Sequence, residues 1–401
     1  MAAYSCDEQK PSCANCVKQG ADCEYRAPTS REASHTSPLP DGTPTLTSSD
    51  ADSARTGVGA GTISEQQLLS ESGPAPVNDN LARTDLTLNI PQLRLLQGSK
   101  LTALRSHYTT VTAKTLAAHT DAEDVYKITL PELAFSHPYL LHAILSLSAL
   151  HLSRLARADS EAQSYLSQAE QYRSAALHGF QTTVHGIDDS NFKAVLLFTG
   201  ILFPHACATW IALTNDLSFA FSNIISNLIL TRRMRFMVTD FYTKMQESEL
   251  ARVVPLDVKN IDWYSATRPA TTELVQLRKF AQIMHHVYPP DIIDAYSSAC
   301  NLLERIFDAA AASPTPPSDG LLKTWIHLVS ERYIELLAEK QPGSLIIFAH
   351  FAVLMHRAAE CYWYMQGVAE QILRVAEYLV PVEWRTWLEW PREQIGLGEK
   401  E

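Results

Sequence analysis

From Leu86 onward the apolar residues of this chain return at steps of three and four, and that spacing is the strongest constraint on what it can fold into. Leu101, Leu104, Tyr108, Val111 and Thr115 make one such stripe. Pro138 stands where the first turn of a helix tolerates proline, and Tyr139 to Leu152 behind it are apolar almost all round, as a central helix requires. Asp159-Ser160 offers a cap for the next helix, whose Ala162, Tyr165, Leu166, Ala169, Tyr172, Ala176 and Phe180 form a second stripe. The same spacing predicts helices over 191–203, 206–231, 271–287, 291–310, 321–339, 344–365 and 368–379. Pro289-Pro290, the proline-rich run 313–320 and Pro342-Gly343 punctuate them. Glycine is sparse here, and no apolar-polar alternation flanks hairpin turns. The expected fold class is all-α, with residues 84–401 forming one helical domain.

Residues 27–83 read differently. They are rich in Ser, Thr, Pro, Ala, Gly and Asp, and cannot bury enough apolar surface to offset the entropy of ordering. This stretch is expected to be a disordered linker. The formal net charge of −11 excludes a chain that is basic throughout, so any nucleic-acid contact must be local. No apolar h-region follows Met1, which places the cysteines in a reducing compartment. Ala194 to Asn215 carries no charge, but Pro204-His205 interrupts it and no basic cluster flanks it. Buried core helices, and no membrane span, are the expectation there.

Four of the seven cysteines fall within residues 1–26 at the spacing Cys6-x6-Cys13-x2-Cys16-x6-Cys23. A Cys-x2-Cys step lets two thiolates reach one tetrahedral zinc, and the outer pair can complete the shell. Cys207, Cys300 and Cys361 are scattered among apolar residues and read as core. The run from Cys6 to Tyr25 resembles the second part of the fungal binuclear zinc-cluster module. Cys6-Asp7, Pro11, Cys13, Cys16 and Cys23 correspond to its third to sixth cysteines and the proline between them. The resemblance implies zinc as cofactor, DNA with CGG-type triplets as partner, homodimers and a nuclear location.

The departure matters as much as the match. The family's first two cysteines and its basic stretch have no counterpart before Cys6. Two tetrahedral zincs need eight ligand positions, which six cysteines fill by bridging, so these four can hold one zinc at most. Residues 1–26 also set Lys10, Lys18 and Arg26 against Asp7, Glu8, Asp22 and Glu24, leaving no excess of positive charge for phosphate. Either the start codon is placed downstream of the true one, or the protein has lost autonomous DNA binding. The intact second half of the module favours the former.

A second resemblance covers parts of 100–200 and 340–396. Residues 101–117, 128–155 with Pro-Glu-Leu-Ala-Phe-Ser-His-Pro at 131–138, and the ending Trp384-x2-Trp387-Leu-Glu-Trp390-Pro391 are similar to the C-terminal domain of the sterol uptake control proteins. That similarity implies an all-helical regulatory domain with a buried apolar pocket for a sterol or lipid-like ligand, and a regulator of sterol, lipid or biosynthetic-cluster genes. Residues 204–270 depart from it. From the residues alone, Phe348, Phe351, Tyr362, Trp363, Tyr364, Trp384, Trp387 and Trp390 suit either a pocket lining or plain core. The Arg232-Arg233-Met234-Arg235 patch reads as a solvated helix end.

Nothing points to catalysis. There is no nucleophile elbow, phosphate-cradling glycine loop or His-Glu-x2-His pair. His350 and His356 lie roughly 240° apart around a helix, so they cannot share one metal on one face. The chain is expected not to be an enzyme.

Overall fold

The computed structural model describes residues 90–210, 216–259, 261, 269 and 272–396. The cysteine module at 1–26 and the linker at 27–83 lie outside these residues. Among the described residues no strand occurs, and the chain runs from helix to helix. The main elements are α1 (Ile90–Thr110), α2 (Leu130–Ser136), α3 (Pro138–Leu155), α4 (Asp159–Thr183), α5 (Phe192–Trp210) and α6 (Leu217–Thr239). They continue with α7 (Val275–Val287), α8 (Pro290–Ala312), α9 (Asp319–Leu328), α10 (Glu331–Ala338), α11 (Pro342–Ala358), α12 (Val368–Leu379) and α13 (Glu389–Ile395).

Two largely apolar helices organise the packing. In α3, buried residues run from Tyr139 round to His151 because α1, α2, α4 and α5 all pack on it. In α11 every residue from Gly343 to Met355 is buried, under α8, α12 and α13. Each large side chain so buried contributes about 1.5–3 kcal/mol, so these two segments dominate the apolar core. The groups around α3 and α11 are joined through α6, which touches α9, α10 and α12, and through α5, which meets the 3₁₀ turn Trp363–Met365.

Several boundaries differ from the sequence reading, each for a local reason. The first stripe does not continue past residue 110. Leu104 and Tyr108 are buried, but the chain turns into a separate 3₁₀ segment, Thr112–Leu116, and Val111 is exposed. That turn is fixed from a distance: the Trp363 indole N–H donates to Thr115 Oγ1 at 2.9 Å, and the Thr115 hydroxyl donates to the Thr112 carbonyl at 2.7 Å. Asp159 is not the cap of α4. It sits in the first turn behind Ala158, where its charge, with that of Glu161, complements the helix dipole.

Pro204 does not break the helix predicted to stop before it. It lies inside α5, which buries its apolar residues so thoroughly that one missing N–H is tolerated. The window Phe192–Thr209 is the one stretch among the described residues long and apolar enough to cross a bilayer; its mean hydropathy is 1.4 and 67% of it is buried inside the fold. The helix read over 321–339 is two helices. Ser330 takes extended backbone and its side chain accepts from the Tyr333 N–H, which starts α10 afresh. Likewise 344–365 ends as a helix at Ala358, and residues 363–365 form a separate turn.

Close approach sets one residue in this core. A Cβ on Gly343 would lie 2.4 Å from Tyr296 Cε2 and 2.9 Å from Cζ, with the ring itself fully buried. Gly343→Ala is therefore expected to destabilise the domain by about 1–3 kcal/mol, because neither helix can retreat without opening the core. Chemical denaturation checks it, and an unchanged midpoint would show that Tyr296 has room to move.

Candidate functional site

Cys6, Cys13, Cys16 and Cys23 lie outside the described residues, so nothing in the structure tests their placement. Of the remaining cysteines, Cys207 and Cys300 are buried as expected, but Cys361 is exposed. It follows the end of α11 at Ala358, where the chain leaves the core. Among the described residues no group of three or more His, Cys, Asp or Glu is arranged to hold a metal. His350 is buried, its Nδ1–H donating to the Ile346 carbonyl at 2.8 Å, while His356 is half-exposed and faces Glu370 at 3.2 Å.

The eight aromatic residues that suit either a pocket lining or plain core pack largely against other rings of the fold. Phe351 stacks on Trp325 with ring centres 4.3 Å apart, Trp390 stacks on His350 at 5.4 Å, and Trp387 meets Phe280 at 5.6 Å. Stacked rings at these distances fill space. The arginine patch is also not what it seemed. Arg232 is buried and donates to the carbonyls of Ile326 at 2.6 Å and Val329 at 2.7 Å, so it holds the C-terminal end of α9. Arg233, beside it, is exposed.

The candidate site the tertiary structure does form is a cleft of about 850 Å³. One wall is a face of α8, where Arg305, Asp308, Ala309 and Ala312 follow the three- and four-residue steps of a helix. Facing segments come from Ala117–His119, Pro255–Asp257 and Cys361-Tyr362, and the loop 313–318 borders it. Of the eight aromatics, Tyr362 alone lines this cleft. Burial first, and then the Asp319 carboxylate, push its phenol well above the usual tyrosine range, so it stays neutral.

The Pro255–Asp257 wall is held by specific contacts. Asp257 accepts from the Ser318 backbone N–H at 2.9 Å and from its hydroxyl at 2.7 Å. The Ser318 oxygen in turn accepts from Leu321 N–H at 3.1 Å and caps α9. A Cβ on Gly320 would stand 2.8 Å from Pro255, so glycine there lets the wall lie against the first turn of α9. Cleft residues come from segments spread between 117 and 362, and no local motif announces them.

With this geometry in place, comparison with known proteins becomes decisive. The family model described as fungal Zn(2)-Cys(6) binuclear cluster domain matches residues 4–32, and that described as fungal specific transcription factor domain matches residues 103–242. A Zn(2)-C6 fungal-type transcription factor of Gibberella zeae is 25% identical, over 96% of this chain and 82% of its own length. The chain carries matches to both domains of the fungal zinc-cluster transcription factors, the cysteine cluster and the helical domain.

Other relatives are longer than this chain. Sterol uptake control protein 2 of Saccharomyces cerevisiae is 23% identical over 79% of this chain, but only 32% of its own length is spanned. The Zn(2)-C6 fungal-type transcription factor afumD of Aspergillus fumigatus is 30% identical over 37% of this chain and 30% of its own length. The helical match reaches residue 242, across the first part of the stretch that departs from the sterol uptake pattern. The cofactor of the family is zinc, and its cluster domain binds two ions. The donor set at 4–32 suits one: four thiolates complete a single tetrahedral shell, and two more would be needed for the second ion.

Proposed function

We propose that this transcription factor binds zinc through Cys6, Cys13, Cys16 and Cys23, acts in the nucleus, and uses its helical domain to sense a sterol or lipid-like ligand. The observation that carries the reading is the presence, in one chain, of a zinc-cluster match at 4–32 and a transcription-factor-domain match at 103–242. CGG-type DNA is the proposed nucleic-acid partner, a homodimer the proposed state on it, and sterol, lipid or biosynthetic-cluster genes the proposed targets. The second reading, a ligand-sensing or partner-binding regulator without autonomous DNA binding, rests on the same segment's charge and thiolate count.

A gel-shift titration separates the two. As given, the chain is expected to carry one zinc and to bind CGG duplexes no better than random DNA, since its cysteine segment gains little from counterion release. A chain extended before Cys6 by Cys-x2-Cys and a lysine- and arginine-rich stretch is expected to carry two zincs and to select CGG sites in a salt-sensitive way. If the extended chain remains unselective, the DNA-binding reading falls. If the chain as given already discriminates CGG, the thiolate argument is wrong.

The ligand half has its own test. A sterol that binds the folded state at roughly a hundred times its Kd stabilises it by about 2.7 kcal/mol, which a thermal-shift panel of sterols and fatty acids reads directly. Ala309→Trp, which fills the cleft, is expected to abolish the shift. No shift across the panel would leave the cleft without this role.

A further inference from the structure

The loop between α8 and α9 reads Ser313-Pro314-Thr315-Pro316-Pro317-Ser318 and borders the cleft. Its chemistry is not absorbed by anything above. We propose that Thr315 is a phosphoacceptor for a proline-directed protein kinase, and that its phosphate regulates what the cleft admits. The second half rests on the cleft being the ligand site; the first half does not.

Three observations support the acceptor. Thr315 and Pro314 are exposed, whereas Ser313, the other hydroxyl followed by proline here, is half-buried. The loop's composition favours the extended form that a kinase groove requires. Pro314, Pro316 and Pro317 have no N–H to give, and fixed proline φ angles already favour extended chain. The Thr315 N–H and hydroxyl are both used locally, on the Ser313 hydroxyl at 3.3 Å and 3.0 Å. Pro316 is half-buried and Pro317 is buried, and Ser318 is held on Asp257. Binding a kinase therefore requires opening the Ser313–Thr315 turn and lifting Pro316 and Pro317 away from the fold, but it unwinds no helix. A kinase of this specificity also selects proline after the acceptor because it lacks an N–H, and Pro316 supplies that.

The transfer is balanced by ATP. The bond from Thr315 Oγ1 to the γ-phosphorus forms as the phosphorus–oxygen bond to ADP breaks, and the hydroxyl proton passes to the kinase's base. The product carries a charge of roughly −1.5 to −2 at the mouth of a cleft that already holds Asp257 and Asp308 against Arg305. An incoming carboxylate then meets repulsion that an uncharged sterol does not. At a separation of several ångströms this corresponds to about a tenfold loss for an anionic lipid, weakening with salt.

The experiment uses the full folded chain, ATP and a proline-directed kinase whose activity is verified on a synthetic Ser-Pro peptide. Peptide mapping by mass spectrometry is expected to find phosphate on Thr315, lost in Thr315→Val and in Pro316→Ala but kept in Ser313→Ala. Ser37-Pro38 and Thr43-Pro44 in the linker provide acceptors in the same reaction. Modification there with none on Thr315, or modification nowhere, overturns the proposal. A fluorescent fatty acid and a fluorescent neutral sterol are then titrated into the phosphorylated and unphosphorylated chain. Selective, salt-sensitive weakening of the fatty acid supports the regulatory half, and equal affinities overturn it. If neither probe binds the unphosphorylated chain, the cleft reading and the regulatory half fall together, while the acceptor stands on the mass spectrum alone.

Discussion

Acidification from neutral pH to about 4 is expected to unfold the helical domain, because three of its histidines are buried without charge. Burial, and then the nearby Arg173 guanidinium, depress His205 to about 3. Burial holds His350 at about 4 against the opposing effect of its bond to Ile346, and burial with neighbouring His107 brings His151 to about 4. The hydrogen bonds fit neutral rings. Ser146 donates its one proton to the Ala169 carbonyl at 2.6 Å, so at 2.7 Å it must accept from His205 Nε2–H. Among the described residues His350 Nε2 has no partner, and it would bring an unpaired charge into the core if protonated.

The sign follows from which state takes up protons. In the unfolded chain these rings protonate near 6.5, while in the fold they resist until about 4 or 3. Stability is thus fully present above 6.5 and is lost as pH falls below it. Each histidine removes up to about 1.4 kcal/mol per pH unit. Three together, over two units, are comparable with the whole stability of a domain, about 5–15 kcal/mol. Denaturation midpoints measured between neutral and acid pH should fall steadily. His350→Asn, which keeps a donor near Ile346 and removes the titration, should shallow the slope by about a third. A pH-independent midpoint down to about 4.5, or an unaltered slope in the variant, would refute this account.

Arg232→Met is expected to cost about 2–4 kcal/mol, because the lost guanidinium leaves two buried carbonyls at the end of α9 without donors. The third contact, to Glu331 at 3.1 Å, contributes little, since that carboxylate side chain is 69% exposed. Glu331→Gln should therefore lie within about 0.5 kcal/mol of the parent, and so should Arg233→Met on the neighbouring exposed residue. Urea denaturation of the three variants gives the comparison. A large effect from Glu331→Gln, with a small one from Arg232→Met, would reverse the assignment and make the surface ion pair the stabilising contact.

The contrast between Arg232 and Arg233 shows what a sequence can and cannot carry. Adjacent arginines in a basic run have the same propensities and charge, so they read alike, as a solvated helix end. Only the position of α9 and its unpaired carbonyls makes one of them a buried clamp. Pro204 repeats the lesson in the opposite direction. Its local rule says stop, and burial of the surrounding α5 residues overrides it. Gly343 and Gly320 look like ordinary punctuation until Tyr296 and Pro255 are seen against them.

What the sequence determined by itself rests on short-range periodicity and spacing. Three- and four-residue steps made the domain all-α, the largely apolar run at 139–152 marked a central helix, and four close cysteines pointed to zinc. These signals survive in one dimension because a helix face and a tetrahedral thiolate shell are each built by residues near in sequence. The tertiary structure alone decided that the C-terminal aromatics stack into core, that Cys361 faces outward, and that a cleft forms where 117–119, 255–257, 305–318 and 361–362 converge. Such a space belongs to no segment. It is what remains when helices close-pack elsewhere, and its lining is fixed only once every helix has found its neighbours.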